Sequence, residues 1–158
     1  VALGPLVRRQ TRMLLERHPR IVLTEAIEVE PIVESDGDRI AQVIANLLEN
    51  AAKYAGPTPV VSVRLGQTDA GMLTIEVEDD GPGIDLEELP QIFGRFFRSQ
   101  SPSVQAKKGS GVGLYITRHL VDVAGGEITA ASAPEQGARF TVAWPLGAAA
   151  EATLADED

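Results

Sequence analysis

The residues with the most chemical potential fall in three short stretches. Asn46, Asn50 and Lys53 recur at spacings of four and three, which places them in one row along a helix, with Tyr54 beside them. Asp79-Asp80-Gly81-Pro82-Gly83-Ile84 ends a run in which Leu73, Ile75 and Val77 alternate with Thr74, Glu76 and Glu78. Gly109-Ser110-Gly111-Val112-Gly113-Leu114 closes a polar segment and opens a further apolar-periodic run.

Each stretch has its own chemistry and its own plain alternative. A carboxylate at the end of a strand can accept a hydrogen bond from the exocyclic amine of adenine, a charge-assisted contact worth roughly 1.5–3 kcal/mol. Guanine presents an oxygen at that position, so such a contact selects adenine. Gly81 and Gly83 would let the backbone come close to a flat base. Taken alone, Asp-Asp-Gly suits a turn at least as well. Amides beside an apolar stripe need partners. Two capped or solvated asparagines are the simpler reading until Lys53 and Tyr54 are added, which together suit a polyanion with an aromatic edge. A glycine-rich opening to a helix offers free N–H groups and a favourable dipole to phosphate. It is not a P-loop, because no Gly-Lys-Ser/Thr follows. It is not a dinucleotide fingerprint either, because Ile116 stands at the third glycine position.

The elements that must position these residues follow from periodicity. Residues 3–17 read as a helix, with Leu3, Leu6, Val7, Met13 and Leu14 at helical spacing and Arg8, Arg9 and Arg12 opposite; Pro19 ends it. The arginines read as a solvated face, with anion binding as the alternative. His18 sits at the helix exit, a poor context for a phosphate-accepting histidine. Ile21 to Leu23 and Ile27 to Val33 read as two short strands. Asp36 offers an N-cap and Asp38 a first-turn carboxylate for a helix from about Gly37 to Tyr54, stopped by Gly56-Pro57. Its stripe is Ile40, Val43, Ile44, Leu47, Leu48 and Ala51. Asn50 borders that stripe and is expected to be half-buried, and Glu49 to be solvated.

Val60 to Leu65 and Met72 to Asp79 read as an antiparallel hairpin around Asp69-Ala70-Gly71. Asp85, Glu87 and Glu88 form an acidic stretch. Phe93, Phe96 and Phe97 are expected to join the core, with Arg95 and Arg98 flanking them. Residues 99–110, small and polar with Lys107 and Lys108, read as a mobile loop. A helix then places Val112, Ile116, Leu120 and Val123 on one face, with His119 packed or partly exposed, and Gly125-Gly126 ends it. Glu127 to Ala131 and Ala138 to Trp144 read as closing strands around a turn at Pro134 to Gly137, with Trp144 in the core. Residues 147–158 are Ala-rich and acidic and are expected to be disordered.

Composition narrows the partners. The chain has 158 residues, 44% of them apolar, enough for one domain with a sizeable core. A formal charge of −9 argues against a nucleic-acid surface, which needs clustered Lys and Arg. The absence of Cys removes disulfides and thiolate metal sites and fits an intracellular location. No run reaches the ~20 apolar residues of a membrane span.

Taken together, four boxes in order resemble the ATP-binding catalytic domain of bacterial two-component sensor histidine kinases, in the GHKL or Bergerat-fold superfamily. Gln42-Val43-Ile44-Ala45-Asn46-Leu47-Leu48-Glu49-Asn50-Ala51-Ala52-Lys53-Tyr54 resembles the N box. The Asp79–Ile84 and Gly109–Leu114 stretches resemble the two glycine boxes, and Phe93-Gly94-Arg95-Phe96-Phe97-Arg98 resembles the F box. The likeness covers about residues 30–146.

The resemblance implies a two-layer α/β sandwich, a mixed sheet of about five strands with three helices on one face. It implies a single catalytic domain over residues 1–146, with an N-terminal helix in 1–20 and a mobile ATP lid at 94–110. Mg-ATP would be the ligand. Asn50 and Asn46 would hold Mg2+ against the phosphates, Lys53 would pair with phosphate, and Tyr54 would flank the base or ribose. Asp79 would take the adenine amine, next to Gly81, Gly83 and Ile84. Arg98, Lys107 and the backbone of Gly109, Ser110, Gly111, Val112, Gly113 and Leu114 would reach the phosphates. No residue of this chain is assigned as catalytic. The implied activity is transfer of the γ-phosphate to a histidine on a separate dimerisation domain of the same protein, which then supplies a response regulator. The implied setting is the cytoplasmic part of a membrane-bound sensor, homodimeric at full length, with this piece monomeric. Other members of the superfamily are ATP-hydrolysing clamps, and these carry Glu as the water-activating base where Asn46 stands; an amide cannot take that proton. A non-catalytic nucleotide-binding module is the third alternative. Ser110 stands where some relatives carry a larger amide, and Ala124 where they often carry His.

Overall fold

The computed structural model describes residues 2–30, 32, 36–68, 70–94, 113–132 and 137–145. Five strands form one mixed sheet in the order β1-β2-β3-β5-β4. They are β1 (Val22–Ile27), β2 (Val60–Gln67), β3 (Leu73–Asp79), β4 (Glu127–Ser132) and β5 (Ala138–Trp144). β1 runs parallel to β2, and the remaining pairs are antiparallel. The α-helices among the described residues are α1 (Leu3–Arg17), α2 (Gly37–Tyr54) and α3 (Gly113–Val123). The result is the expected two-layer sandwich.

Strand alternation puts the core on one face of the sheet. Val61, Val63, Leu65, Leu73, Ile75, Val77, Phe140, Val142 and Trp144 are all buried. The opposite face carries Arg64, Glu76 and Arg139, linked by Arg64–Glu76 and Arg139–Glu76 pairs at 3.7 and 3.6 Å. The helices cover the apolar face: α2 lies over β3 with α1 on one flank and α3 on the other.

Helix α2 holds this layer in place. Asp36 caps it, its carboxylate accepting from the N–H groups of Asp38 and Arg39 at 3.0 and 3.4 Å. Ile40, Val43, Ile44, Leu47, Leu48 and Ala51 are buried as the 3.6-residue period requires. Full burial of a Leu or Ile contributes about 1.5–3 kcal/mol, so this stripe anchors whatever the other side of α2 presents.

Four expectations need correction. Ile27 to Val33 shows no second strand among its described residues: β1 is one strand that ends at Ile27, Glu28 to Glu30 are irregular, and Ile32 makes only an isolated antiparallel bridge to Ala2, while Pro31 and Val33 lie outside the described residues. Met13 is 36% exposed, because Thr11 takes the inward position beside Leu14 and binds Glu25 of β1. Glu49 is not simply solvated: it pairs with Arg17 and accepts from the His18 ring at 3.1 Å, tying the end of α1 to α2. The fourth concerns α3. Its buried face is Thr117 and Val121, with Leu114, Leu120 and Ala124 packed beside them, whereas Ile116 and Val123 are 36% and 57% exposed. His119 is exposed, and Val112 lies outside the described residues.

Candidate functional site

The C-terminal half of α2 carries both ends of the site. Asn46 and Asn50 are half-buried one turn apart, Asn46 facing α3, and Lys53 and Tyr54 close the helix. Eight residues separate Asn46 from Tyr54, about 12 Å along a helix axis. Lys53 sits in the last turn, where the dipole favours a cation, and its Nζ lies 5.4 Å from the Tyr54 ring centre.

At the Tyr54 end, β3 delivers Asp79 into the interior. Asp79 is 6% exposed, and its Oδ1 accepts from the Gly81 N–H at 2.8 Å. Burial pushes this carboxyl up to about 6; the Gly81 and Ala138 N–H groups pull the other way, and the neighbouring Asp80 and Glu78 charges push it further up. The fold therefore holds a carboxylate where a charge is costly.

The turn after Asp79 is fixed almost entirely by backbone. A Cβ on Gly81 would strike the Tyr54 carbonyl oxygen, so Gly81 is what lets the turn lie against the end of α2. Gly137, at φ +76°, packs its α-carbon against the Asp79 carbonyl and donates to the Gly81 carbonyl at 3.0 Å. Ser132 Oγ accepts from the Ile84 N–H at 2.7 Å and donates to the Gly137 carbonyl at 2.6 Å. Asp80, next in the chain, serves the scaffold: its Oδ1 accepts from the N–H groups of Gly56 and Val60 at 2.9 and 3.1 Å. It thereby closes the segment between α2 and β2.

At the Asn46 end, the partner is α3. Asn46 Nδ2 donates to Thr117 Oγ at 3.3 Å, and Thr117 Oγ donates to the Gly113 carbonyl at 2.8 Å. Thr117 is fully buried. Phe93 packs edge-on against Phe140, with centres 6.2 Å apart, and the Arg118 guanidinium lies 5.7 Å from its ring centre.

The structure thus brings Asn46, Asn50, Lys53 and Tyr54 onto one helix, with Gly113 and Leu114 at one end and Asp79, Gly81, Gly83 and Ile84 at the other. Arg98, Lys107, Gly109, Ser110, Gly111 and Val112 lie outside the described residues, as do Arg95, Phe96, Phe97 and the 147–158 tail. Sequence reasoning missed Asp80, Thr117, Ser132 and Gly137 as supports. Only Gly137, a glycine in an expected turn, carried any signal.

Residues 35–148 match the family described as histidine kinase-, DNA gyrase B- and HSP90-like ATPase, and the chain belongs to that family. Among curated proteins it is 42% identical over 110 residues to the signal transduction histidine-protein kinase AfsQ2 of Streptomyces coelicolor, covering 70% of this chain and 20% of that protein. Among solved structures, the mycobacterial sensor histidine kinase MprB superposes with a TM-score of 0.83 at 30% identity, covering 92% of this chain and 96% of that one. Full-length ShkA in complex with AMPPNP superposes with a TM-score of 0.80 at 27% identity, covering 93% of this chain and 30% of that one. The chain spans 14% to 30% of the length of the first curated relatives it matches. No helix among the described residues is long and apolar enough to cross a membrane.

Proposed function

We propose that this domain binds ATP with Mg2+ and donates the γ-phosphate to a histidine on a separate dimerisation domain of the same protein, from which it passes to an aspartate of a response regulator. The observation that carries the reading is Asp79: a carboxylate buried at a strand end against its electrostatic preference, beside a turn held by Gly81 and Gly137. Such a group suits an amine that satisfies it, and the adenine 6-amino group is that partner. The nucleotide analogue bound by ShkA, a protein of the same fold, supports the same ligand class.

The remaining roles follow along α2. Tyr54 flanks the base or ribose, Lys53 faces the phosphates, and Asn50 with Asn46 supplies amide oxygens to the cation. Among the described residues there is no cluster of three or more His, Cys, Asp or Glu side chains that could hold a metal. Asn46 and Asn50, half-buried one turn apart, offer amide oxygens, a donor type that fits an ion shared with phosphates, the mode Mg2+ favours. Bound there, Mg2+ would neutralise phosphate charge. We assign Arg98, Lys107 and the Gly109–Leu114 backbone to the phosphates on the strength of the family motifs.

In the transfer, the bond between the γ-phosphorus and the bridging oxygen breaks as a bond to an imidazole nitrogen forms. ADP leaves, and the imidazole proton passes to solvent. The protein's part is positioning and charge stabilisation. Asn46 stands where a hydrolytic member needs a base, so water is not activated. Neither His18, which caps α1 and binds Glu49, nor His119, exposed on the short α3, has the setting of an acceptor. The acceptor domain makes the full protein a homodimer, and the domain works on the cytoplasmic side. The test supplies the protein's own dimerisation domain in trans with γ-labelled ATP. Acid-labile, base-stable label on that domain is expected. Label released only as free phosphate would mean a hydrolytic clamp, and binding without transfer or release a nucleotide-binding module.

A further inference from the structure

We infer that Thr117 is a positioning residue that fixes the orientation of the Asn46 carboxamide, so that Asn46 offers oxygen and not nitrogen to the bound cation. The inference rests on the Mg-ATP reading above. A threonine hydroxyl has one proton and two lone pairs. In Thr117 the proton is committed to the Gly113 carbonyl, 2.8 Å away and four residues back in the same helix. The hydroxyl oxygen can therefore only accept from Asn46, and the group 3.3 Å away must be the Asn46 NH2. The amide has two ends, and fixing the nitrogen on Thr117 leaves the oxygen for the other side. Mg2+ takes oxygen ligands, so an inverted amide would present it with the wrong atom. Thr117 is fully buried between α2 and α3, with no water to compete for the hydroxyl. A purely apolar contact at this position would be served as well by valine, which has the same shape.

The size of the effect follows from the states that the bond removes. Without it, Asn46 has two amide orientations and up to three staggered χ1 wells, so the competent fraction falls to about one half to one sixth. Thr117→Val should therefore weaken Mg-ATP binding about two- to sixfold, while ATP in excess chelator binds as to wild type. Thr117→Ser, which keeps the hydroxyl, should restore the Mg2+-dependent gain even if the lost methyl lowers thermal stability. Calorimetric titration of the three proteins with ATP, with and without Mg2+, reads this directly. The Asn46 side-chain amide signals in a 15N spectrum should move in Thr117→Val and stay in place in Thr117→Ser. An equal Mg2+ gain in wild type and Thr117→Val, or equal losses in both conditions, would overturn the role of Thr117 and leave ATP binding standing. A wild type with no Mg2+-dependent gain would overturn both.

Discussion

The two ends of the site along α2 are built differently. At the Tyr54 end the site is made of backbone: Gly81 against a carbonyl, Gly137 against Asp79, and Ser132 bridging two main-chain groups. That frame is main chain, and Asp79 is the side chain it buries in an unfavourable setting, with Lys53 and Tyr54 half-buried at the end of α2. At the Asn46 end the described site is made of side chains on two helices, joined by one hydroxyl. A rigid backbone frame suits a rigid flat base, whereas an amide oriented by a neighbouring hydroxyl suits an ion and a phosphate chain. Each end has a hydroxyl relay, yet Ser132 fixes main chain and Thr117 fixes a ligand-facing amide.

The sharpest contrast is between neighbours. Asp79 and Asp80 share a charge and a turn. Asp80 satisfies two N–H groups and stabilises the fold, while Asp79 is buried at a cost. A shift from 3.8 to about 6 corresponds to about 3 kcal/mol of unfavourable burial when the group is ionised. Between those values the folded protein holds the Asp79 proton more tightly than the unfolded chain does. This group's contribution to stability therefore falls as pH rises through that window, and the full cost stands above about 6.

Breaking the backbone frame should have the largest effect. Gly81→Ala forces a Cβ into the Tyr54 carbonyl and should destabilise by about 3 kcal/mol or more, with loss of nucleotide binding. Denaturant unfolding checks it, and a variant as stable as wild type would show that the turn yields. Asp79→Asn should do the reverse to the fold: at neutral pH the free protein gains up to about 3 kcal/mol while ATP affinity collapses. The fall in the Asp79 contribution expected for wild type between pH 4 and 6 should also be absent from its stability profile. Asp80→Ala should cost about 0.5–1.5 kcal/mol from two hydrogen bonds lost at an exposed turn and leave the ATP-over-other-nucleotide preference intact. The smallest effect belongs to the outer sheet face: Arg64→Ala should change stability by less than about 1 kcal/mol, because its pairs are exposed. A larger loss there would mean that this face is not simply solvated.

What could be read from the sequence was whatever local periodicity or cap chemistry determines. α2 from Gly37 to Tyr54, its Asp36 cap and the β2–β3 pairing were legible because each rests on residues close in the chain. Ile27 to Val33 misled because apolar alternation continues through Glu28 to Glu30, past Ile27, where the pairing of β1 with β2 ends. On α3 two rows share the same helical period, and the true inner row contains Thr117, whose polarity disguised it. Glu49 took partners from α1, and Thr117, Ser132 and Asp80 act across 71, 48 and 24 residues of sequence. No local pattern encodes such contacts. Asp79 itself was legible as a site only through its company; its burial and its cost appear only once Gly137 and β5 are in place.

The central claim is that Asp79 reads the adenine amine, and replacing that amine tests it. Inosine triphosphate differs from ATP there, carrying an oxygen in place of the 6-amino group. Titrated calorimetrically, wild type should prefer ATP by about tenfold or more, the value of one charge-assisted hydrogen bond, and Asp79→Asn should lose that preference. Equal affinity of wild type for the two nucleotides would contradict the account.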